Sequence, residues 1–464
     1  MEEKDVVVIG GGPAGYVAAI RASQLGAKVA LVEEKKLGGI CLNSGCIPTK
    51  FLLHSVELYE SFKTAEQYGL SASEVNFDLT KMQARKNRIV STLVSGVKSL
   101  LATNKVEIIT GHAMLAAATQ VEIDSGQGTK QTIEAKKVIL ATGSQTVKLP
   151  IPGADAPDIM NAENMLELGY LPKSMVIIGG GVVGVEWATI LAKLGCKVTI
   201  VEMLPRILPT QDAEIASVLE GILKEGGIQI YCGARVSSIE DTGGGKLVVF
   251  SAGESENRLE AEVVAVAVGQ RPNIAGLGLE ECDVAIDKGR IQTNESLQTS
   301  VPNIYAAGDV VGGMMLAYVG IAEGKVAAEN ALGKESTIDY QVVPQCIFTL
   351  PELASVGLTE EEAIARGYKI KLGKFPFAAN GMAAILGEKR GLVKIITEQE
   401  YGQILGVHII GPRATSLIPE AALAMKLEVT PEEIVSTMHA HPTLSEAIWE
   451  AALDVNGEAI HFHS

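Results

Sequence analysis

Cysteine is scarce in this sequence, with six residues in 464. That is too few for a secreted disulfide scaffold, so any close pair is read first as redox-active or metal-binding. Positive charge is also in short supply: 39 basic residues against 55 acidic ones leave a formal charge of -16. Such a chain repels phosphate backbones and anionic membrane surfaces, which argues against nucleic acid as a partner. An unbroken apolar run of membrane-spanning length is missing too. The longest candidate, Met175 to Leu191, is interrupted by Gly179, Gly180, Gly181, Gly184 and Glu186, a composition that suits a phosphate-binding turn better than a membrane span. The N-terminal MEEKDVVVIG is acidic where a secretory signal would be basic. The expectation is therefore a globular cytoplasmic protein with no membrane association. Its 47% hydrophobic residues can fill the cores of about three domains.

What is present is glycine in a meaningful pattern. Val6 to Gly15, VVVIGGGPAG, is a β-branched run of strand length that ends in glycines and leads into an alanine-rich stretch that reads as a helix. In such a unit Gly10 permits the turn, Gly12 admits a pyrophosphate close to the backbone, and Gly15 allows the helix to pack on the strand. The phosphate lies at the helix N-terminus. One copy alone also fits a glycine-rich core turn with a surface glutamate at a strand end. Here the unit recurs: VIIGGGVVG places Gly179, Gly181 and Gly184 each 169 positions after its counterpart. QLGAKVALVE and KLGCKVTIVE keep the same offset, ending in Glu33 and Glu202. A carboxylate at the end of the second strand accepts hydrogen bonds from ribose hydroxyls, so both glutamates read as ribose ligands. Glu202 favours NAD over NADP, since a 2'-phosphate beside it would be repelled; Arg206, four residues on, leaves NADP open. Two dinucleotide sites in one chain suit one bound flavin and one exchangeable nicotinamide.

Shortly after the first unit comes LGGICLNSGCIPTK, with Cys41 and Cys46 five positions apart. No second pair and no histidine at ligand spacing lies nearby, so zinc is disfavoured. On a regular helix these positions are about 140° apart, and a disulfide would need a distorted first turn, to which Gly45 and Pro48 can contribute. A helix N-terminus would lower the pKa of a thiol placed on it. Two reduced cysteines packed as small hydrophobes remain the bland alternative.

With these motifs in hand, the chain resembles the pyridine nucleotide-disulfide oxidoreductases, and GGICLNSGCIPTK is similar to the active-site stretch of the dihydrolipoamide dehydrogenase branch. Further landmarks follow in order: VILATGS, VAVGQRPN, NIYAAGDV, PELASVGLTEEEA and HAHPTLSEAIWEA. The resemblance implies an α/β fold of two Rossmann-like domains, for FAD and NAD, plus a C-terminal α+β dimerisation domain. The implied boundaries are 1–144 for the first part of the FAD domain, 145–271 for an inserted NAD domain, 272–338 for the second part and 339–464 for the dimerisation domain. It implies that Cys41 is the interchange thiol and Cys46 the flavin-facing sulfur. Lys50 is expected near the flavin and paired with Glu186; His441 is expected as the base and Glu446 as its orienting carboxylate. Flavin contacts fall on Gly10, Gly12, Pro13, Ala14, Gly15, Glu33, Lys50, Ala113, Thr142, Gly143, Ser144, Asp309 and Ala317. NAD contacts fall on Gly179, Gly181, Val182, Val183, Gly184, Glu202, Val236 and Gly269.

A histidine held in one tautomer by a carboxylate can deprotonate a thiol that is mostly protonated at neutral pH. Thr443-Leu444-Ser445-Glu446 also reads as a capping box, and the two roles are compatible; His439 is a rival base. At Met315–Val319 the family often has MLAHKA, whereas this chain carries Tyr318 and Val319, a departure beside the redox centre. The implied reaction is oxidation of protein-bound dihydrolipoamide with reduction of NAD+, by a homodimer, within a 2-oxoacid dehydrogenase or glycine cleavage system. No lipoyl domain precedes Met1, so the lipoyl arm is expected from a partner. Alternatives are a relative acting on another disulfide or a metal ion, or a non-catalytic redox-sensing flavoprotein subunit. Mercuric reductase-like members carry a C-terminal cysteine pair, and this chain ends HFHS.

Overall fold

The structure is a computed structural model that describes residues 2–126 and 128–462; His463 and Ser464 of the terminal HFHS lie outside it. The strand Glu2–Ile9 is followed by the helix Pro13–Gln24 and the strand Val29–Glu33. Val6, Val7, Val8, Leu31 and Ala30 are wholly buried, as expected of central strands covered on both faces. The sheet runs in the order Glu107–Thr110, Val29–Glu33, Glu2–Ile9, Lys130–Leu140, Gln120–Asp124, His112–Ala117. Ile304–Ala306 adds to the C-terminal end of Lys130–Leu140 in parallel, so a segment more than 160 residues later completes the first sheet.

Between those pieces lies a second, wholly parallel sheet, ordered Gln229–Tyr231, Lys197–Val201, Ser174–Ile178, Val263–Val266, Met160–Asn161. Its first crossover helix, Val182–Leu194, closes on Gly195 in the left-handed conformation, where glycine carries no Cβ penalty. A three-stranded antiparallel sheet, Ala234–Asp241, Lys246–Ala252 and Ser255–Ala261, extends this unit. Two short antiparallel strands, Ser144–Thr146 and Gln270–Pro272, join it to the first sheet's unit.

The C-terminal region has a five-stranded antiparallel sheet in the order Gln345–Ile347, Glu352–Gly357, Ile404–Gly411, Leu392–Glu398, Ile370–Pro376. The helices Ala414–Lys426 and Glu446–Asp454 contribute Ile418, Ala421, Ile448 and Ala451 to its core. Among the described residues, no helix is long and apolar enough to cross a membrane.

One packing relation places the site. The helix Cys46–Lys63 buries Leu52, Leu53 and Val56 in the same core as Val185, Ala188 and Ile190 of Val182–Leu194. Each of the leucine, valine and isoleucine side chains among them contributes roughly 1.5–3 kcal/mol on full burial. The cysteine-bearing helix is thus fixed against the helix that opens the second unit.

Candidate active site

The two glycine turns have the same geometry. Gly10 and Gly179 adopt φ of +106° and +112°, and a Cβ on either would lie 2.2 or 2.4 Å from the carbonyl oxygen of Ala141 or Ala267. A Cβ on Gly15 or Gly184 would fall 1.8 or 2.0 Å from the Gly10 or Gly179 carbonyl. Only glycine fits there. The carboxylates match as well: Glu33 accepts the N–H groups of Gly11 (2.6 Å) and Lys35 (2.7 Å), and Glu202 those of Gly180 (2.6 Å) and Leu204 (2.7 Å). A carboxylate offers about four acceptor positions, so each retains capacity for ribose hydroxyls.

The helices Pro13–Gln24, Val182–Leu194 and Ala317–Ala331 begin without a side-chain cap. The helices Leu79–Thr103 and Ala213–Glu225 are capped by Asp78 and Asp212. Uncapped first turns present backbone N–H donors to an anion. With the glycine cradles, this donor set fits a pyrophosphate at each unit. Around the first, Ser144 donates to Asp309 (2.6 Å) and Thr142 to the Asn273 carbonyl (2.7 Å); Ala113 is buried in His112–Ala117, and Ala317 begins its helix. Around the second, Val182 is 39% exposed, Val236 is buried in the strand Ala234–Asp241 and Gly269 takes φ +107°. Arg206 is engaged by Glu361 through two hydrogen bonds (3.0 and 2.6 Å). It therefore faces Glu361, which removes the argument for a 2'-phosphate site beside Glu202.

The cysteine loop is laid over the first turn. Gly39 has φ +57°, and a Cβ there would be 2.8 Å from Gly12 Cα. Cys41 sits on the short helix Gly39–Asn43, which ends at Ser44; Cys46 is the first residue of Cys46–Lys63. The break at Gly45, with φ -142° and ψ -109°, is the distortion that the five-residue spacing demands, and a Cβ there would be 3.0 Å from the Ile40 carbonyl. Asn43, which carried no signal in the sequence, braces the loop by donating to the Leu37 and Gly39 carbonyls, both at 2.9 Å.

Cys41 and Cys46 lie within hydrogen-bonding reach of each other, and in the dithiol form they are driven apart in acidity. The hydrogen bond from Cys41 pulls Cys46 down, helped by Lys50 and opposed by partial desolvation of the sulfur by its neighbours. Cys41 moves up because it is the donor in that bond and because it is half-buried. Of the two, Cys46 is thus the more acidic thiol. Lys50 lies one helical turn beyond Cys46, on the same face. Its ammonium contacts both oxygens of Glu186, at 2.9 and 2.8 Å. Glu186 is 2% exposed and also accepts the Phe348 N–H at 2.9 Å; the Phe348 ring lies under the Lys50 ammonium, 4.8 Å from its centroid.

In the C-terminal region His441 Nδ1 and Glu446 Oε1 are 2.8 Å apart, and Glu446 Oε2 accepts the Thr443 N–H at 2.8 Å. Burial opposes ionisation of Glu446, but these two partners outweigh it and hold its carboxyl below the usual range. The capping box is only half formed, because the Thr443 hydroxyl donates to the Ala440 carbonyl instead. One carboxylate thus fills both roles considered for it. His439 is spoken for at both nitrogens, by the Thr437 carbonyl (2.9 Å) and Glu420 (2.8 Å), whereas the His441 side chain is 78% exposed.

Tyr318 donates to the Pro344 carbonyl. Burial pushes its hydroxyl pKa up, with Cys346 and Cys46 adding to the effect, so this departure stands beside the redox pair. Burial also pushes the Cys346 thiol up to about 11, and Cys196, Cys232 and Cys282 are raised by the same cause. These four remain ordinary thiols.

Residues 4–324 match the family model for pyridine nucleotide-disulphide oxidoreductases, and residues 343–452 match that family's dimerisation domain. The chain belongs to this family. Membership makes it an oxidoreductase that uses FAD and a nicotinamide nucleotide. It is 44% identical to a dihydrolipoyl dehydrogenase of Bacillus subtilis, over 99% of both chains. It is 42% identical to the mitochondrial dihydrolipoyl dehydrogenase of Pisum sativum, over 99% of this chain and 93% of that one. A leghemoglobin reductase of Glycine max is also 42% identical, over 97% and 87%. Among solved structures, LpdA of Mycobacterium tuberculosis superposes with a TM-score of 0.90 at 29% identity, covering 97% of this chain and 99% of that one. The Cu(II) complex of the flavoprotein disulfide reductase RclA from Escherichia coli gives 0.88 at 29% identity, with 97% and 99% covered.

Proposed function

We propose that this family member oxidises protein-bound dihydrolipoamide to lipoamide and delivers the electrons to NAD+. The observation that carries the reading is the juxtaposition of Cys41 and Cys46, with the Lys50–Glu186 pair one helical turn beyond Cys46. The near full-length likeness to dihydrolipoyl dehydrogenases supports it.

In this reading His441, oriented by Glu446, takes the proton of a dihydrolipoyl thiol. The thiolate attacks the Cys41 sulfur of the Cys41–Cys46 disulfide, and Cys46 leaves as thiolate, stabilised by Lys50 and the helix N-terminus. The second substrate thiol, deprotonated in turn, attacks the mixed disulfide, closing the lipoyl ring and releasing Cys41. Bound FAD would supply a two-electron acceptor beside the dithiol, and bound NAD+ a hydride acceptor for its reoxidation. Gly10, Gly12, Gly15, Glu33 and Asp309 hold the flavin nucleotide; Gly179, Gly181, Gly184 and Glu202 hold NAD. The chain works as a homodimer in which His441 serves the partner's cysteines, and a lipoyl domain supplies the substrate arm. The division 1–144, 145–271, 272–338 and 339–464 is supported by the joining strands Ser144–Thr146 and Gln270–Pro272. A cytoplasmic setting suits the four thiols outside the pair.

Steady-state turnover with dihydrolipoamide and NAD+, followed as NADH, tests the reading. A Cys41→Ser variant is expected to lose about 10³-fold in turnover while keeping NADH oxidation by an artificial electron acceptor. Equal turnover by the variant, or preference for another disulfide over lipoamide in the reverse direction, would sink the assignment.

A further inference from the structure

Phe348 lies in the C-terminal region, immediately after the strand Gln345–Ile347, and makes two separate contacts with the redox centre. Its main-chain N–H donates to Glu186 Oε1 at 2.9 Å, and its ring faces the Lys50 ammonium with the centroid 4.8 Å from Nζ. The strand before it is itself anchored: Gln345 accepts a hydrogen bond from Gln211 at 2.7 Å, and Gln211 accepts one from Ser355 at 2.8 Å. Lys50 is half-open, its side chain 30% exposed. Without a second contact it could swing about Glu186 and away from Cys46. A cation held over an aromatic face is fixed in direction as well as in distance.

We propose that Phe348 is a positioning residue of the redox centre, holding the Lys50 ammonium toward Cys46 by its ring while its peptide N–H fixes Glu186. The proposal rests on the redox reading given above and adds to it a contribution from the C-terminal domain. The groups facing Cys46 are then Cys41, Lys50 with its partner Glu186, and Tyr318. Of these, only Lys50 depends on the ring.

The test is the ionisation of Cys46 in the anaerobically reduced holoprotein, read as the long-wavelength flavin–thiolate absorbance against pH. Phe348→Leu keeps the peptide N–H and removes the ring. Its midpoint is expected to rise by about half a pH unit, a threefold change in the ionisation constant, the size of a partly exposed cation–π contact. Phe348→Tyr should restore the native midpoint. Pentafluorophenylalanine at position 348 preserves the shape but removes the negative ring face, and it should reproduce the leucine shift even if Phe348→Leu folds poorly. A midpoint unmoved by the fluorinated ring, with Lys50→Met still shifting it, overturns the proposal alone. A reduced native protein with no pH-dependent thiolate absorbance overturns the redox reading, and the proposal with it.

Discussion

In the first dinucleotide unit Gly12 lies beneath Gly39, and the helix Ala317–Ala331 presses on the other side: a Cβ on Gly324 would be 2.1 Å from the Ala14 carbonyl. In the second unit nothing lies within 4 Å of a Cβ on Gly181, and Val182 stands 39% exposed. The turns beneath are otherwise alike, with the same positive-φ glycine and the same twofold use of the glutamate. What differs is the cover. On the reading proposed above, one turn chemistry serves a retained flavin and an exchangeable nicotinamide, and the residues folded over the first turn are what would set them apart.

The largest expected effect comes from prying at the cover. Gly324→Ala places a methyl against a backbone carbonyl and should cost about 3 kcal/mol, with most of the co-purifying flavin lost. Gly181→Ala should stay within about 0.5 kcal/mol of the native protein and keep its flavin. Thermal unfolding and the flavin-to-protein absorbance ratio distinguish them, and equal behaviour of the two variants would break the comparison. Next in size, Glu202→Ala should raise the KM for NADH by about tenfold, with flavin content unchanged; a loss of flavin would mean the units are not independent.

Where the units meet, Lys50→Met should raise the ionisation midpoint of Cys46 by about one pH unit, read by the same absorbance titration. The sign follows from the geometry: the hydrogen bond from Cys41 depresses the pKa of Cys46 in the folded chain and the Lys50 ammonium adds to that, so removing the ammonium raises it. Its stabilising contribution to the reduced protein is present above the unfolded value of about 8.5 and is lost as pH falls through the folded one. The smallest effect is on nucleotide choice. Glu361→Gln frees Arg206 from its pair and should improve NADPH relative to NADH by about threefold, measured as the ratio of kcat/KM values. An unchanged ratio would show that Arg206 does not reach the ribose even when unpaired.

Much of this arrangement was legible in the chain because it is local. The glycine turns, Glu33 and Glu202, and the strand–turn–helix units are set by residues within a few dozen positions, and their repetition at a fixed offset made the duplication readable. The need for a break between Cys41 and Cys46 followed from helix geometry alone, and the break falls at Gly45. The apolar neighbours of Glu186 signalled its burial. The contacts of Phe348 with Lys50 and Glu186 were not legible, since they join positions 298 and 162 residues apart with no periodic signature. The pairing of Arg206 with Glu361 was hidden for the same reason, across 155 positions. Asn43 is local, but a short polar side chain that bonds to nearby carbonyls is common in loops, so nothing in its spacing singled it out.

The most direct test of the functional account is an anaerobic absorption titration of the purified protein with dihydrolipoamide, followed by one addition of NAD+. The account predicts a long-wavelength thiolate–flavin band on reduction, and return of the oxidised flavin spectrum when NAD+ is added. A flavin that stays oxidised with dihydrolipoamide yet is reduced by NADH would contradict the lipoamide assignment, leaving the fold and the two nucleotide units in place.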